Sequence, residues 1–256
     1  MRGLKNKVII VAGVTSGMGE ATAIRLAEEG AKVVVAGRTV EACERIAESI
    51  RQSGGIAEAL YYDQSEEAKI VALVAATVEK FGRLDGLLCN AAELRKEVIS
   101  NDGDLGNMSV ELWERLLKVN TIGYALLMRE AIPHMLKNGG GSIVLISSEA
   151  ARMGMKNRHC YAVTKAGIES MVRSVAERWG QEGIRCNSIA PGMVMTEKAQ
   201  RDIAKELLDQ MKSRLRSPRL GLSTDIAAAA AFLLSDDGEW VQGQVISVNG
   251  GSFFRH

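Results

Sequence analysis

A chain of 256 residues, 46% hydrophobic and 25% charged, can bury a substantial core as one domain. Its net charge of +1 and the lack of any Lys/Arg-rich block argue against nucleic acid or an anionic membrane as main partner, which leaves small molecules. Cys43, Cys89, Cys160 and Cys186 are scattered without a C-x-x-C pair, predicting reduced thiols in a cytoplasmic protein, with no disulfide framework and no metal site.

Arg2, Lys5 and Lys7 ahead of the apolar run 8–14 imitate a secretory leader, but the run is short and passes straight into a glycine-rich turn, so export is not expected. No segment reaches the roughly 20 apolar residues of a membrane span. Val- and Ile-rich stretches then alternate with helical patterns to the end of the chain. Strands are predicted at 7–12, 32–37, 57–62, 84–89, 142–147, 184–189 and 244–248, and helices at 17–29, 40–53, 66–81, 110–136, 161–182 and 225–234. The alternation, unbroken by a linker or repeat, predicts βαβ units. The expected architecture is α/β: a Rossmann-type, doubly wound parallel sheet of seven strands with helices on both faces, in a single domain 1–256. Ligands belong beyond the carboxyl ends of its strands.

The first strand runs into Gly13-Val14-Thr15-Ser16-Gly17-Met18-Gly19, and a helix follows. Glycines let the backbone turn sharply and approach a pyrophosphate, whose charge meets the amides and dipole at the helix start. At the end of the second strand Arg38 follows Gly37, where an enzyme preferring NAD would place an acid for the ribose 2′-hydroxyl. A guanidinium suits the 2′-phosphate of NADP, so NADP(H) is the predicted cofactor, with NAD(H) possible. Arg38 also reads as a solvated surface charge, and Ser16, a place for a second basic residue, is neutral.

Tyr161 and Lys165, four residues apart, share one face of a helix. An ammonium about 4 Å from a phenol, at an effective dielectric of about 20, favours phenolate by roughly 4 kcal/mol. That lowers a pKa near 10 by roughly three pKa units and fits the phenol to pass a proton near neutral pH. Ser148, closing the strand-like run before this helix, is placed to bond the same substrate oxygen.

In their order along the chain these features resemble the short-chain dehydrogenase/reductase family, in its compact single-domain branch, from Lys7 to Gly251. Ser148 stands 13 residues ahead of Tyr161, as the family's serine does, and Tyr161 and Lys165 fall on its Tyr-x-x-x-Lys. The turn has the family's G-x-x-x-G-x-G spacing, with Ala12 where threonine is usual; Cys89-Asn90-Ala91-Ala92 stands for its Asn-Asn-Ala-Gly, with Cys89 and Ala92 as departures. The resemblance implies that Gly13, Thr15, Ser16, Gly17, Met18, Gly19, Arg38, Asn90 and Ala91 contact the cofactor. It also implies that Asp63 bonds the adenine amino group beside Gln64, and that Lys165 binds the nicotinamide ribose. Pro191, Gly192, Val194 and Thr196 would hold the carboxamide.

Catalysis is then implied for Tyr161 as acid/base, Ser148 polarising the substrate oxygen, Lys165 tuning Tyr161, and Asn120, in Asn120-Thr121-Ile122-Gly123, holding a water that links the lysine to solvent. The activity implied is that of an oxidoreductase on CH–OH groups, interconverting a small-molecule secondary alcohol and a ketone. An NAD-dependent alcohol, dihydrodiol or sugar-alcohol dehydrogenase, and a non-enzymatic cofactor-binding regulator, are the alternatives. Residues 193–216 are expected to form a substrate lid. The stretch 93–109 reads either as a border of the substrate site or as a surface excursion. Ala150 and Met155 are expected along the pocket wall, His159 and Cys160 in structural roles, and the subunits in a homotetramer or homodimer.

Overall fold

The computed structural model describes residues 1–254, with the side chains of Glu197, Lys198 and Asp202 excepted. Its main sheet has the strands β1 (Val8–Ala12), β2 (Lys32–Gly37), β3 (Ile56–Tyr61), β4 (Gly86–Cys89), β5 (Gly141–Ile146), β6 (Ile184–Pro191) and, last in sequence, β9 (Val245–Val248). All pair in parallel, in the order β3-β2-β1-β4-β5-β6-β9. The seven predicted strands are all present, with ends within two residues of those expected. Two further short strands, β7 (Val194–Met195) inside the expected lid and β8 (Gly221–Leu222) just beyond it, pair outside this sheet.

Parallel strands need crossovers, and helices supply them on both faces. Along β1, Ile9 and Val11 point into one core and Ile10 and Ala12 into the other; Val33 and Val35 against Val34 and Ala36 repeat the split on β2. One core lies under α1 (Met18–Glu28), α2 (Val40–Gln52) and α10 (Ser223–Leu234), with Leu26, Ile46 and Leu233 fully enclosed. The other lies under α3 (Glu67–Phe81), α6 (Gly123–Lys137) and α7 (His159–Trp179), around Leu73, Leu127 and Val172. Because both faces are covered, the central strands β1, β2 and β4 read as near-continuous apolar runs. All four cysteines are buried and free. Among the described residues no helix is long and apolar enough to cross a membrane.

The stretch after β4 holds a one-turn helix, α4 (Lys96–Ile99), and a 3-10 turn at Leu105–Asn107, both absent from the sequence reading. The predicted helix 110–136 is not one α-helix. It starts as α5 (Val110–Leu117), widens to π geometry over Lys118–Ile122, and resumes as α6. The widened turn coincides with polar groups that bond outside the helix: the Val119 carbonyl accepts from the Gln64 amide, and the Thr121 hydroxyl donates to the Thr164 carbonyl at 3.2 Å. The expected lid carries α8 (Glu197–Asp202) and α9 (Lys205–Ser213). Strand order reverses on either side of β1, so the crevice between the ends of β1 and β4 is the switch point where such sheets take ligands.

Candidate active site

The cleft at that switch point is lined by Gly13, Thr15, Ser16, Gly17, Met18, Arg38, Asp63, Gln64, Asn90, Ala91 and Thr196, eleven of the expected cofactor residues. Gly13 and Gly17 both have positive φ, +94° and +68°, and a side chain on Gly13 would collide with the Ala91 backbone. Gly17, expected as the first residue of the helix, instead caps α1 from outside. These constraints leave the N-terminal amides of α1 facing the cleft, a cradle for phosphate. Asn90 donates to the Gly13 carbonyl at 2.7 Å, while its own buried Oδ1 accepts nothing. Arg38 is exposed on the rim and forms no hydrogen bond or ion pair with the described residues. A dinucleotide therefore fits this donor set: amides for its pyrophosphate, an uncommitted guanidinium for a further phosphate, and an orphan acceptor.

Several of the expected cofactor residues have partners within the protein. The Gln64 side chain is committed to the protein, accepting from the Tyr62 hydroxyl at 2.8 Å and donating to the Ala91 and Val119 carbonyls. Thr196 uses its hydroxyl to cap α8, accepting from Ala199 N–H at 3.1 Å, and its methyl lies against Gly17. Gly192 donates to the Val248 carbonyl at 3.0 Å, tying the segment after Pro191 to β9, and Val194 begins β7. Ala92 lies outside the positive-φ region, so alanine there costs no backbone strain.

Beyond the β4 side of the cleft, Lys165 and Tyr161 lie on one face of α7 as their spacing requires. The Lys165 Nζ is 5.8 Å from the Tyr161 ring centroid and 5.2 Å from that of Tyr124, and it donates to the Ile146 carbonyl at 2.7 Å. Burial pulls the lysine down to about 7, against a small upward pull from Cys89. Burial likewise raises the Tyr161 phenol; a hydrogen bond with the Ser148 side chain and the charge of Arg158 draw it partly back. The expectation that Lys165 depresses Tyr161 finds no counterpart here: burial is the largest influence on the phenol, and Ser148 and Arg158, not Lys165, are what draw it down.

Ser148 rather than Ser147 meets the tyrosine, since the Ser147 hydroxyl donates to Glu169 at 2.8 Å behind the helix. Asn120 is fully buried in the π segment, accepting from Glu93 N–H at 2.7 Å and donating to Thr164 Oγ1 at 3.4 Å. Thr164 in turn donates to the Tyr161 carbonyl at 2.7 Å, so a hydrogen-bonded chain runs from Asn120 to the tyrosine's backbone. Ala150 and Met155 are half-buried, His159 Nε2 lies 3.1 Å from the Lys156 carbonyl, and Cys160 packs on Leu112 and Leu116, its thiol pushed up to about 12 by burial.

Sequence reasoning missed two residues that shape this site. Asp102, buried in the 93–109 stretch, accepts the N–H groups of Cys160 and Tyr161. Glu93, buried just past β4, holds Arg95 and Arg115. An acid directly after Asn90-Ala91-Ala92 at the switch point was the available signal for Glu93; Asp102 had none beyond its polar surroundings.

Comparisons agree with this geometry. Residues 13–252 match the family profile described as Enoyl-(Acyl carrier protein) reductase. A 7α-hydroxysteroid dehydrogenase of Clostridium sardiniense is 34% identical over 251 residues, 98% of this chain and 95% of that protein. A 3-oxoacyl-[acyl-carrier-protein] reductase of Staphylococcus aureus is 32% identical over 249 residues, 96% of this chain and 98% of the other. A solved 7α-hydroxysteroid dehydrogenase, in complex with NADH and 7-oxo glycochenodeoxycholic acid, superposes with a TM-score of 0.91 at 34% identity, covering 97% of this chain and 94% of that one. The chain belongs to the short-chain dehydrogenase/reductase family of oxidoreductases that act on CH–OH groups.

Proposed function

We propose that the protein is an NADP(H)-dependent oxidoreductase that interconverts a secondary alcohol and a ketone, with Tyr161 as general acid/base. The observation that carries this reading is the convergence of Ser148, Tyr161 and Lys165 beside a glycine cleft whose rim offers the unpaired Arg38. The nicotinamide, when bound, supplies or accepts the hydride. Ser148, already bonded to the phenol, orients the substrate oxygen, and Tyr161 exchanges its proton with that oxygen. Lys165 binds the nicotinamide ribose, and once charged beside it favours the phenolate. Asn120 supports the helix that presents them. Gly192, Val194 and Thr196 face the carboxamide, and residues 193–216 close over the substrate.

The similar proteins named for ring alcohols, 7α-hydroxysteroids and cis-4-hydroxycyclohexanecarboxylate, make cyclic ketones the first substrates to try. Use of NAD(H) is the second reading, favoured by the NADH in the solved relative and by the neutral Ser16. We place the protein in the cytoplasm as a homotetramer or homodimer, a reading supported by exposed Val110, Ile122 and Val163 on α5, the π turn and α7.

Turnover of a cyclic-ketone panel, followed at the nicotinamide absorbance band, tests the assignment. Tyr161→Phe should lower kcat by on the order of 100-fold or more while NADPH still binds. Undiminished turnover by that variant removes Tyr161 from the mechanism.

A further inference from the structure

Glu93 is enclosed to 1% side-chain exposure and remains ionised. Burial opposes its charge, but hydrogen bonds from Arg95 and Arg115 overcome this and hold the carboxyl down at about 2. Arg95 grips both carboxylate oxygens, at 2.8 and 2.7 Å, and Arg115 brings Nε and Nη2 to Oε2 at 3.1 and 2.8 Å. With two donors on one buried oxygen, the Arg115 guanidinium plane is fixed. Its side chain keeps 35% exposure and lines the cleft with Arg38, Asp63 and Leu94.

The place of this wall follows from the fold. A pyrophosphate on the amides of α1 and a ribose beside Arg38 at the end of β2 carry the attached base outward, toward the end of β3. Asp63 stands there, and both Arg38 and Arg115 help to lower its pKa after burial and its Ser65 hydrogen bonds are counted. Asp63 therefore lies in the field of both arginines, one on the ribose side and one rising from α5.

We infer that Arg115, locked by Glu93, covers one face of the adenine base of the cofactor, with Glu93 as its positioning residue. This rests on the dinucleotide reading above. A planar, weakly hydrated guanidinium stacks on aromatic rings in a way that a lysine ammonium does not. Charge alone would suit a phosphate; the fixed plane suits a base.

Calorimetric titration of the purified protein with 2′,5′-ADP and with 5′-ADP separates these roles. Arg115→Ala should weaken both probes by the same factor, about tenfold for the loss of one stacked face. Arg115→Lys, which keeps the charge and can keep the ion pair, should lose nearly as much, and Glu93→Gln should weaken both to a lesser degree. Should the alanine variant fail to fold, the lysine variant carries the test. Unchanged affinities, full rescue by lysine, or a loss confined to 2′,5′-ADP would overturn the inference. Arg38→Ala, measured alongside, should weaken 2′,5′-ADP alone. If it does not, the NADP preference fails, and an equal loss of both probes in the Arg115 variants would still uphold the stacking role.

Discussion

The Asp102 carboxylate accepts the backbone N–H of Tyr161 at 2.8 Å through one oxygen and that of Cys160 at 3.0 Å through the other. Both donors belong to the first turn of α7, where N–H groups have no partner inside the helix. A negative charge there also meets the positive end of the helix dipole. Asp102→Ala should cost about 0.5–2 kcal/mol, read as a lower Tm. It should also reduce kcat by on the order of tenfold as the phenol loses its seat. Asp102→Asn should recover part of both, and an unchanged kcat with a lowered Tm would confine Asp102 to stability.

Lys165 gives a pH dependence whose sign is fixed. Its folded-state pKa, about 7, lies below that of an exposed lysine, so the cost of burying its charge is fully present below pH 7. That cost fades as pH rises from about 7 toward the unfolded value near 10.4. Cofactor-free Lys165→Met should therefore gain more stability over the native protein at pH 6 than at pH 10, by roughly 4 kcal/mol at most. Denaturant melts at the two pH values measure the difference; equal gains would contradict it.

Arg38 tests the cofactor. Losing a charge-assisted contact of about 1.5–3 kcal/mol should lower the ratio of kcat/KM for NADP over NAD by roughly 10- to 150-fold in Arg38→Asp. A constant ratio would return Arg38 to the solvated surface.

Asn120→Leu would strand the Glu93 N–H that now bonds Asn120 Oδ1 at 2.7 Å. An unpaired buried donor costs about 1–3 kcal/mol. Chemical unfolding should register that loss, and Asn120→Asp, which keeps an acceptor, should lose less. If Asn120 also serves proton movement, kcat of the aspartate variant will fall while its stability stays near native.

The strands and the glycine turn were legible because their signals are local: runs of Val and Ile, a turn at Gly13 to Gly19, and Tyr161 and Lys165 one helical turn apart. Ser148 was singled out over Ser147 by the family's thirteen-residue spacing to the tyrosine, and in the structure the Ser147 hydroxyl turns instead to Glu169. What escaped depends on contacts distant in sequence. Asp102 meets Tyr161 across 59 positions and Arg115 meets Glu93 across 22. Neither distance leaves a periodic trace. The tuning of Tyr161 was not legible for a related reason: spacing gives the face of a helix but not the carbonyl of Ile146 that claims the ammonium, nor the burial that pulls the lysine down to about 7.

The wide turn at Lys118–Ile122 sets the phase of the helix that follows it in a way that substitutions would not reveal. Deleting one residue there would let ordinary winding resume with the later faces kept, because a wide turn absorbs one extra residue. Forcing all five into ordinary winding would instead swing everything after them by about 100°. Tyr124, Leu127 and Met128 would then be carried off the sheet toward water, so the surplus residue acts as a phase adjuster that lets one rod serve both an interior and a reaction centre.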